Sequence, residues 1–310
     1  MDFAHVPVLP EQCMRLLNIQ EKPQGLFVDG TLGGGGHTEL ILQRTQARVI
    51  GIDRDADAIA AASKRLQPYG ERFQAVKGNY VDMPQILMRT GVRAADGVLL
   101  DLGVSSYQLD TPERGFSFHN DAPLDMRMDQ SAPLTAKDVV NGYSEEELAR
   151  ILFEYGEERW AKRIAQFIVR SRPLSTTMDL VRVIDQAVPK AVRREVSHPA
   201  RRSFQALRIE VNGELTDLQR ALENACSCLA DGGRLVVISF HSLEDRIVKQ
   251  TFQRMQNPCT CPPKTPVCVC GKKPLGVVIT RHPEVAEKEE TDANIRSRSA
   301  KVRAFERRLE

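Results

Sequence analysis

A run of glycines between two carboxylates is the part of this sequence best suited to chemistry. Asp29 precedes the run at residues 33–36, and Asp53 follows it by 17 residues. Glycines let the backbone approach a ligand closely, and N–H groups at a helix start suit polar ligand atoms. A carboxylate that ends the next strand can accept hydrogen bonds from both hydroxyls of a ribose. The pattern indicates a nucleoside-containing cofactor; the alternative is a flexible turn with a solvated Asp53.

The residues around the run discriminate between cofactors. A dinucleotide motif needs a third glycine, but Thr38 or Glu39 stands at that position. A phosphate-binding loop needs a lysine where His37 stands. S-adenosylmethionine has no pyrophosphate and requires neither feature. Tyr80 follows the third predicted strand, where its ring can stack on adenine, and Asp101 ends the fourth, near the expected sulfonium and amino groups.

Short apolar segments alternate with helical ones in the first third of the chain, which predicts a doubly wound, mostly parallel α/β sheet. The predicted strands are 26–30, 48–53, 73–76 and 97–102, with helices at 38–44 and 57–66. A loop at 109–134 and a helical block at 135–200 follow. The sheet pattern then returns with one long helix at 204–229, strands at 234–240, 277–280 and 300–306, and a helix capped by Ser242. We therefore expect a core of residues 1–108 and 203–310, with a helical substrate-recognition domain inserted at 109–202.

Composition and charge restrict the setting of this protein. No apolar run approaches the roughly 18 residues of a membrane span, and no signal sequence is evident, so we expect a cytoplasmic protein. Residues 1–190 hold 22 Lys and Arg against 26 Asp and Glu, whereas residues 191–310 hold 21 against 15. The basic C-terminal part fits a polyanionic partner such as RNA; the alternative is solvated helix faces. The candidate phosphate contacts are Arg193, Arg194, Arg201, Arg202 and Arg208.

Four of the seven cysteines fall in one short segment, as Cys259, Cys261, Cys268 and Cys270. Four thiolates can hold zinc tetrahedrally, although the pairs have Cys-x-Cys rather than Cys-x-x-Cys spacing. The segment therefore predicts a structural zinc site, the alternative being a surface loop of reduced thiols. The other three cysteines lie in apolar or helical surroundings and are expected to be ordinary buried thiols.

Longer motifs carry a family resemblance over nearly the whole chain. They are HVPVL (5–9), VDGTLGGGGH (28–37), IDRD (52–55), LLDLGVSS (99–106), ERGFSF (113–118), PLDMRM (123–128), YGEER (155–159), RSFQALR (202–208) and SFHSLEDR (239–246). With these motifs the sequence resembles the RsmH (MraW) methyltransferases, which methylate N4 of a cytosine in 16S ribosomal RNA.

The resemblance implies a class I S-adenosylmethionine-dependent methyltransferase core with a helical domain inserted after the fourth strand. It implies 16S rRNA of the small ribosomal subunit as partner and leaves the oligomeric state open, a homodimer included. The cofactor contacts that it implies are Gly35, Gly36, His37, Asp53, Tyr80, Asp101 and Gln108.

Methyl transfer to an amine needs no covalent nucleophile, only orientation of the nitrogen and a proton acceptor. The tetrad that many amino-methyltransferases use at the end of strand four is replaced here by Asp101-Leu-Gly-Val. We expect Asp101 or His241 to contact the target amine; the alternative for His241 is a helix cap. Transfer to cytosine C5 would need a cysteine nucleophile, and Cys259 follows the fifth strand, far from strand four. Two further hypotheses stay open: a methyltransferase acting on protein or small molecules, and a non-enzymatic RNA-binding or assembly factor.

Overall fold

The computed structural model describes residues 7–189, 198–262, 267 and 269–309. Within this part of the chain, two compact units are present: unit 1 comprises the described residues up to 103 and from 215 onward, and unit 2 comprises those between 104 and 214. The strands are β1 Leu26–Asp29, β2 Arg48–Asp53, β3 Phe73–Lys77, β4 Ala95–Asp101, β5 Leu229–Ser239, β6 Gly276–Val278, β7 Glu284–Val285 and β8 Lys301–Arg307. The helices are α1 Pro10–Leu16, α2 Gly36–Arg44, α3 Ala56–Leu66, α4 Met83–Arg89, α5 Ser106–Asp110, α6 Ala136–Gly142, α7 Glu145–Glu154, α8 Ala161–Arg170, α9 Thr177–Ala187, α10 Ala200–Asn212, α11 Leu218–Ser227, α12 Ser242–Gln256 and α13 Lys288–Ala293.

Unit 1 is built on one mixed sheet with the strand order β3-β2-β1-β4-β5-β8-β6. The first five of these strands run parallel to one another. β8 is antiparallel to both β5 and β6. β7 pairs with the first two residues of β8. This order, with an antiparallel strand inserted beside β5, is that of class I S-adenosylmethionine-dependent methyltransferases, and it confirms the predicted fold class.

Alternating apolar residues make both faces of the sheet hydrophobic, as a parallel sheet covered by helices requires. Phe27 and Leu99 join α1, α2 and α3 in one buried cluster. Val28 and Leu100, the next residues along each strand, join α4, α11 and α12 in the other. The strand order reverses at β1, which lies between β2 and β4. Open α/β sheets bind ligands beyond the carboxyl ends of the strands at such a point.

Unit 2 is helical, with α5 to α10 around its own apolar core. Reciprocal hydrogen bonds between an N-cap side chain and the third helical residue start α6, α7 and α9 at Thr135, Ser144 and Thr176. The division falls at 103/104 and 214/215, so the expected boundaries at 108/109 and 202/203 are displaced. The second shift is the larger because Phe204 and Leu207 of α10 are buried in the core of unit 2.

The long helix expected at 204–229 is wrong, since α10 and α11 are separate helices. Gly213 has a φ of 61° and ends α10 in the left-handed conformation that glycine adopts without strain. Strand β5 also begins at Leu229, five residues before its expected start. Two glycines were expected to precede the strand, but β4 and β5 pair on both sides of them with a shift in register. In the described ranges, no helix has both the length and the apolar character needed to cross a membrane.

Candidate active site

The glycine turn brings the backbone to the start of α2 in a conformation that a side chain would strain. Gly35 has a φ of 77° and is the N-cap residue of α2, which begins at Gly36. A Cβ atom at Gly35 would lie 3.0 Å from Cδ1 of Leu66 in α3, tighter than ordinary packing. The turn therefore needs glycine both for its backbone angle and for the space beside α3.

Asp53, the last residue of β2, is hydrogen-bonded to the glycine turn. Its Oδ2 accepts a hydrogen bond from the Gly33 N–H at 2.8 Å, and its Oδ1 accepts one from the Asp55 N–H at 2.9 Å. Burial raises the pKa of this carboxyl, and the two N–H donors act against the rise. A carboxylate oxygen accepts two hydrogen bonds, so both oxygens keep capacity for the hydroxyls of a ribose.

Asp29 connects β1 to the glycine turn through hydrogen bonds of its carboxylate. It is buried, and its Oδ2 accepts from the Thr38 hydroxyl at 2.8 Å while its Oδ1 accepts from the Thr31 N–H at 3.2 Å. Burial raises the pKa of Asp29 to about 6 against the effect of these bonds. The Thr31 hydroxyl oxygen accepts in turn from the backbone N–H of Asp101 at 2.6 Å. Carboxylate, turn and the end of β4 are thus one connected unit.

Asp101 carries the most perturbed carboxyl of the site. Its Oδ1 is buried and has no hydrogen-bond partner in the described part of the chain, and its Oδ2 lies 3.9 Å from Nδ1 of His37. Burial raises the pKa of Asp101 to about 8, and the negative charges of Asp29 and Glu244 add to the rise. A cation bound here would relieve both the repulsion and the desolvation.

His37 is buried in the first turn of α2, with Nε2 2.8 Å from the carbonyl oxygen of Val8. A carbonyl oxygen only accepts, so Nε2 carries a proton and donates it to this bond. The contact with Val8 fixes the orientation of the His37 ring beside the glycine turn.

Tyr80 opens a short 3-10 helix, Tyr80–Asp82, that Asn79 caps by accepting from the Val81 N–H at 3.2 Å. A Cβ atom at Gly30 would lie 3.1 Å from Cβ of Tyr80 and only 2.4 Å from Cδ2 of Leu100. The missing side chain at Gly30 lets Tyr80 pack against the end of β1. Tyr80 is half-buried, and the face of a tyrosine ring can stack on a planar base.

His241 caps α12, and the prediction of Ser242 as the N-cap is wrong by one residue. Nδ1 of His241 accepts from the Glu244 N–H at 3.4 Å, and Nε2 lies 3.1 Å from Oε1 of Glu244. Glu244 is itself buried and accepts from the Phe240 N–H at 2.8 Å. The structure therefore gives His241 a structural contact, and its contact with the target amine stays a prediction.

The remaining implied cofactor contact, Gln108, belongs to unit 2. It is buried in α5, where its Oε1 accepts from the Ser105 N–H at 3.0 Å and its own N–H donates to the Ser105 hydroxyl at 3.2 Å. This reciprocal cap fixes the conformation of the segment that follows β4.

The predicted RNA contacts fall into three groups. Arg201 and Arg202 are exposed on α10, and Arg202 donates to the Glu157 carbonyl oxygen at 3.1 Å. Arg208 is partly buried and pairs with the buried Glu214 at 2.8 Å, so its guanidinium is already engaged. Arg193 and Arg194 lie outside the described residues.

The predicted zinc ligands come together as far as the structure describes them. The Sγ atoms of Cys259, Cys261 and Cys270 all lie within 4.8 Å of one another. Cys268 lies outside the described residues. Cys13, Cys226 and Cys228 are buried, as expected.

Comparison with known proteins decides the family. A model of the MraW methylase family matches residues 2–308. The chain belongs to the MraW methylase family. A protein named Ribosomal RNA small subunit methyltransferase H from Symbiobacterium thermophilum is 56% identical over 309 residues, which cover 98% of this chain and 96% of the relative. Proteins of the same name from Carboxydothermus hydrogenoformans and Geobacter sulfurreducens are each 54% identical over 99% of this chain and 99% and 100% of their own length.

The residues of this methylase fit S-adenosylmethionine, which supplies an activated methyl group on a sulfonium when bound. The sulfonium and the amino group are cationic, and the unpartnered Oδ1 of Asp101 lies among the charges of Asp29 and Glu244. Asp53 would supply acceptors for the ribose, and Tyr80 would supply a ring for adenine. The carboxylates therefore suit a cationic nucleoside better than a dinucleotide phosphate.

Thr31 and Glu244 of this methylase also belong to the site, beyond the residues that the sequence predicts. Thr31 connects the glycine turn to Asp101, and Glu244 adds charge to the site while it caps α12. The spacing of three residues between His241 and Glu244 is that of a capping box and could have identified the latter. Nothing local in the sequence marks the bond from Asp101 to Thr31, since it joins residues 70 positions apart.

Proposed function

We propose that this protein transfers a methyl group from S-adenosylmethionine to the exocyclic N4 of a cytosine in 16S ribosomal RNA of the small subunit, in the cytoplasm. The observation that carries the substrate class is identity above 50%, over nearly the full length of both chains, to proteins named Ribosomal RNA small subunit methyltransferase H. The basic C-terminal third of the sequence agrees with an RNA substrate.

The carboxylate of Asp101 supports an exocyclic nitrogen as the acceptor atom. The N4 lone pair of cytosine is delocalised into the ring, so an enzyme must turn it toward the methyl group and take up a proton after transfer. Asp101 ends β4 with one oxygen that has no partner in the described residues, and its raised pKa makes it a stronger base than an ordinary carboxylate. We assign this carboxylate to orienting the amine and accepting its proton.

Transfer to cytosine C5 is disfavoured because it requires a cysteine thiolate. Burial and the negative charge of Asp101 together raise the pKa of the Cys13 thiol well above its ordinary value. Cys259 lies with two other cysteines rather than with the carboxylates. Neither thiol meets the requirement for an activated nucleophile.

Mass mapping of 16S rRNA tests this function directly. RNA from cells that lack the gene is expected to lose one N4-methylated cytosine, and the intact gene is expected to restore it. A gene with Asp101→Asn serves as the matched control and is expected to restore less than about a hundredth of the methylation rate. An unchanged cytosine, or a lost methyl group at C5, would contradict the proposal.

Transfer of labelled methyl groups in vitro separates the alternative functions. The purified protein is expected to label 16S rRNA or small subunits when S-adenosylmethionine is present. Label in protein or small molecules would support the alternative substrates. RNA binding without any transfer would support an assembly factor.

Unit 2 presents ring systems beside its exposed arginines. The Phe118 ring stacks on His198 with centroids 5.2 Å apart and an interplanar angle of 27°, and the His119 ring lies 4.3 Å from Phe118. Both histidines are exposed, and Arg201 and Arg202 follow His198 within four residues. Exposed rings next to cations are the usual means of holding unstacked bases and the phosphates between them.

Reversal of Arg201 and Arg202 to glutamate is expected to weaken 16S rRNA binding roughly 10- to 100-fold at moderate salt, since two phosphate contacts become repulsive. The slope of log affinity against log salt should fall by roughly two. Filter binding over a salt series measures both. The matched control is Lys162→Glu with Arg170→Glu, which changes the same charge on exposed positions of α8. An equal loss in both variants would show a general charge effect and contradict this RNA face.

A further inference from the structure

The connection between α12 and β6 is long and contains no helix or strand in its described residues. It begins after Gln256 and ends before Gly276. Its two ends are held together, because the Leu275 N–H donates to the Met255 carbonyl oxygen at 2.9 Å and the Val278 N–H donates to Oε1 of Gln256 at 2.6 Å. Structureless loops of this length need an internal crosslink or a function to be ordered. Among the described residues of the loop, Val267 and Val269 are largely exposed, so their side chains do not supply one by apolar packing.

We propose that the thiolates of Cys259, Cys261 and Cys270 bind a zinc ion that crosslinks this loop. The sulfurs lie within 4.8 Å of one another, and those of Cys259 and Cys270 are 3.8 Å apart. Sulfurs placed 2.3 Å from zinc at tetrahedral angles are themselves about 3.8 Å apart. The distance between the Cys259 and Cys270 sulfurs is thus the one that a shared zinc ion requires, and all three cysteines are free of disulfides.

The loop backbone also suits thiolate ligands. The Val269 N–H donates to Sγ of Cys261 at 3.4 Å, and N–H donors to sulfur stabilise the deprotonated form. Lys272 and Lys273 follow Cys270 in the sequence and add positive charge beside a zinc–thiolate group that is negative overall. Soft sulfur ligands favour zinc over magnesium or calcium, which prefer oxygen ligands. The site is structural and goes beyond the methyl-transfer function.

Metal content of the full-length protein tests the site independently of methylation. Protein purified under reducing conditions without added metal is expected to hold about one zinc per chain, because thiolate ligands bind zinc tightly. The triple variant Cys259→Ser, Cys261→Ser, Cys270→Ser is expected to hold less than about a tenth of that amount. Cys226→Ser with Cys228→Ser is the matched control and is expected to keep the metal, because these cysteines are buried in unit 1.

A second measurement uses the native protein, so it tests the site even if the triple variant folds poorly. A mercurial that reacts with thiols is expected to release the zinc of the native protein, and chelation is expected to speed protease cleavage within residues 257–275 at least about fivefold while cleavage elsewhere stays unchanged. Metal-free native protein, full zinc in the triple variant, or a Cys259–Cys270 disulfide found by peptide mapping would each overturn the site. Methyl transfer by the metal-free protein is a separate matter, so failure here leaves the proposed function intact.

Discussion

Replacement of Asp101 by asparagine is expected to lower the single-turnover rate of methyl transfer at saturating cofactor by at least about 100-fold. Asparagine fills the same space at the end of β4, but it cannot accept a proton, and a positioned general base contributes roughly 10²- to 10⁴-fold. The affinity for S-adenosylmethionine should fall by less than about tenfold, because Asp53 and the glycine turn remain. Rapid-quench transfer to 16S rRNA and calorimetric titration of the cofactor measure the two quantities.

The matched variant for this experiment is His241→Asn. Asparagine is a good N-cap residue and preserves the start of α12. If Asp101 is the proton acceptor, this variant keeps a rate within about threefold of the native protein. A large loss in His241→Asn and none in Asp101→Asn would move the role to the histidine. Normal rates in both variants would remove either residue from the chemistry.

The raised pKa of Asp101 also predicts the pH dependence of the reaction. Only the ionised carboxylate can accept a proton, so kcat/KM, which reports the free enzyme, is expected to rise with pH and level off above about 8. Binding of a cation beside the carboxylate lowers its pKa, and the inflection in kcat should lie at lower pH. Asp101→Asn is expected to lack this inflection. A flat native profile between pH 6 and 9 would contradict the assignment.

The raised pKa of Asp101 also predicts how the stability of the folded protein depends on pH. The pKa of Asp101 is higher in the folded protein than in the unfolded chain, so the folded state binds more protons between about pH 4 and 8 and loses stability as the pH rises through that window. Asp101→Asn should therefore raise Tm at pH 8 and change it little at pH 4.

The sequence was sufficient for the elements whose signals are local. Asp53 could be placed because β2 is a continuous apolar run that ends in a carboxylate, and the glycine turn could be placed because it joins that pattern to a helix. The break at Gly213 was missed since the apolar spacing of α10 runs on into α11 and hides the stop. The boundary of unit 2 was missed for a related reason: Phe204 and Leu207 have the spacing of any amphipathic helix, which does not say which core buries them.

The environment of Asp101 depends on contacts that the sequence does not display. Its pKa depends on burial and on two carboxylates that come from β1 and α12, at positions 29 and 244. Its backbone is held by Thr31, 70 residues away. The residue type could be predicted from its place at the end of a strand, but its strength as a base follows only from the folded arrangement.

Replacement of Asp53 by alanine is expected to weaken S-adenosylmethionine binding about 100-fold or more while the rate at saturating cofactor stays within about threefold. A hydrogen bond to a charged acceptor contributes about 1.5–3 kcal/mol, and the ribose offers two donors. The Gly33 N–H also loses its acceptor, which loosens the turn. Asp53→Asn keeps one acceptor oxygen and should lose about tenfold. Calorimetric titration and single-turnover transfer separate affinity from chemistry.

Asp55→Ala is the control that separates affinity from stability. Its backbone N–H still donates to Asp53, while α3 loses the side-chain cap that accepts from the Asp57 N–H at 3.0 Å. Loss of such a cap costs about 1 kcal/mol of stability, so Tm should fall with the cofactor affinity almost unchanged. Equal affinity losses in Asp53→Ala and Asp55→Ala would mean that Asp53 acts only by holding the turn. A loss confined to Asp53, together with a normal saturated rate, supports a direct contact with the ribose and leaves the chemistry to the end of β4.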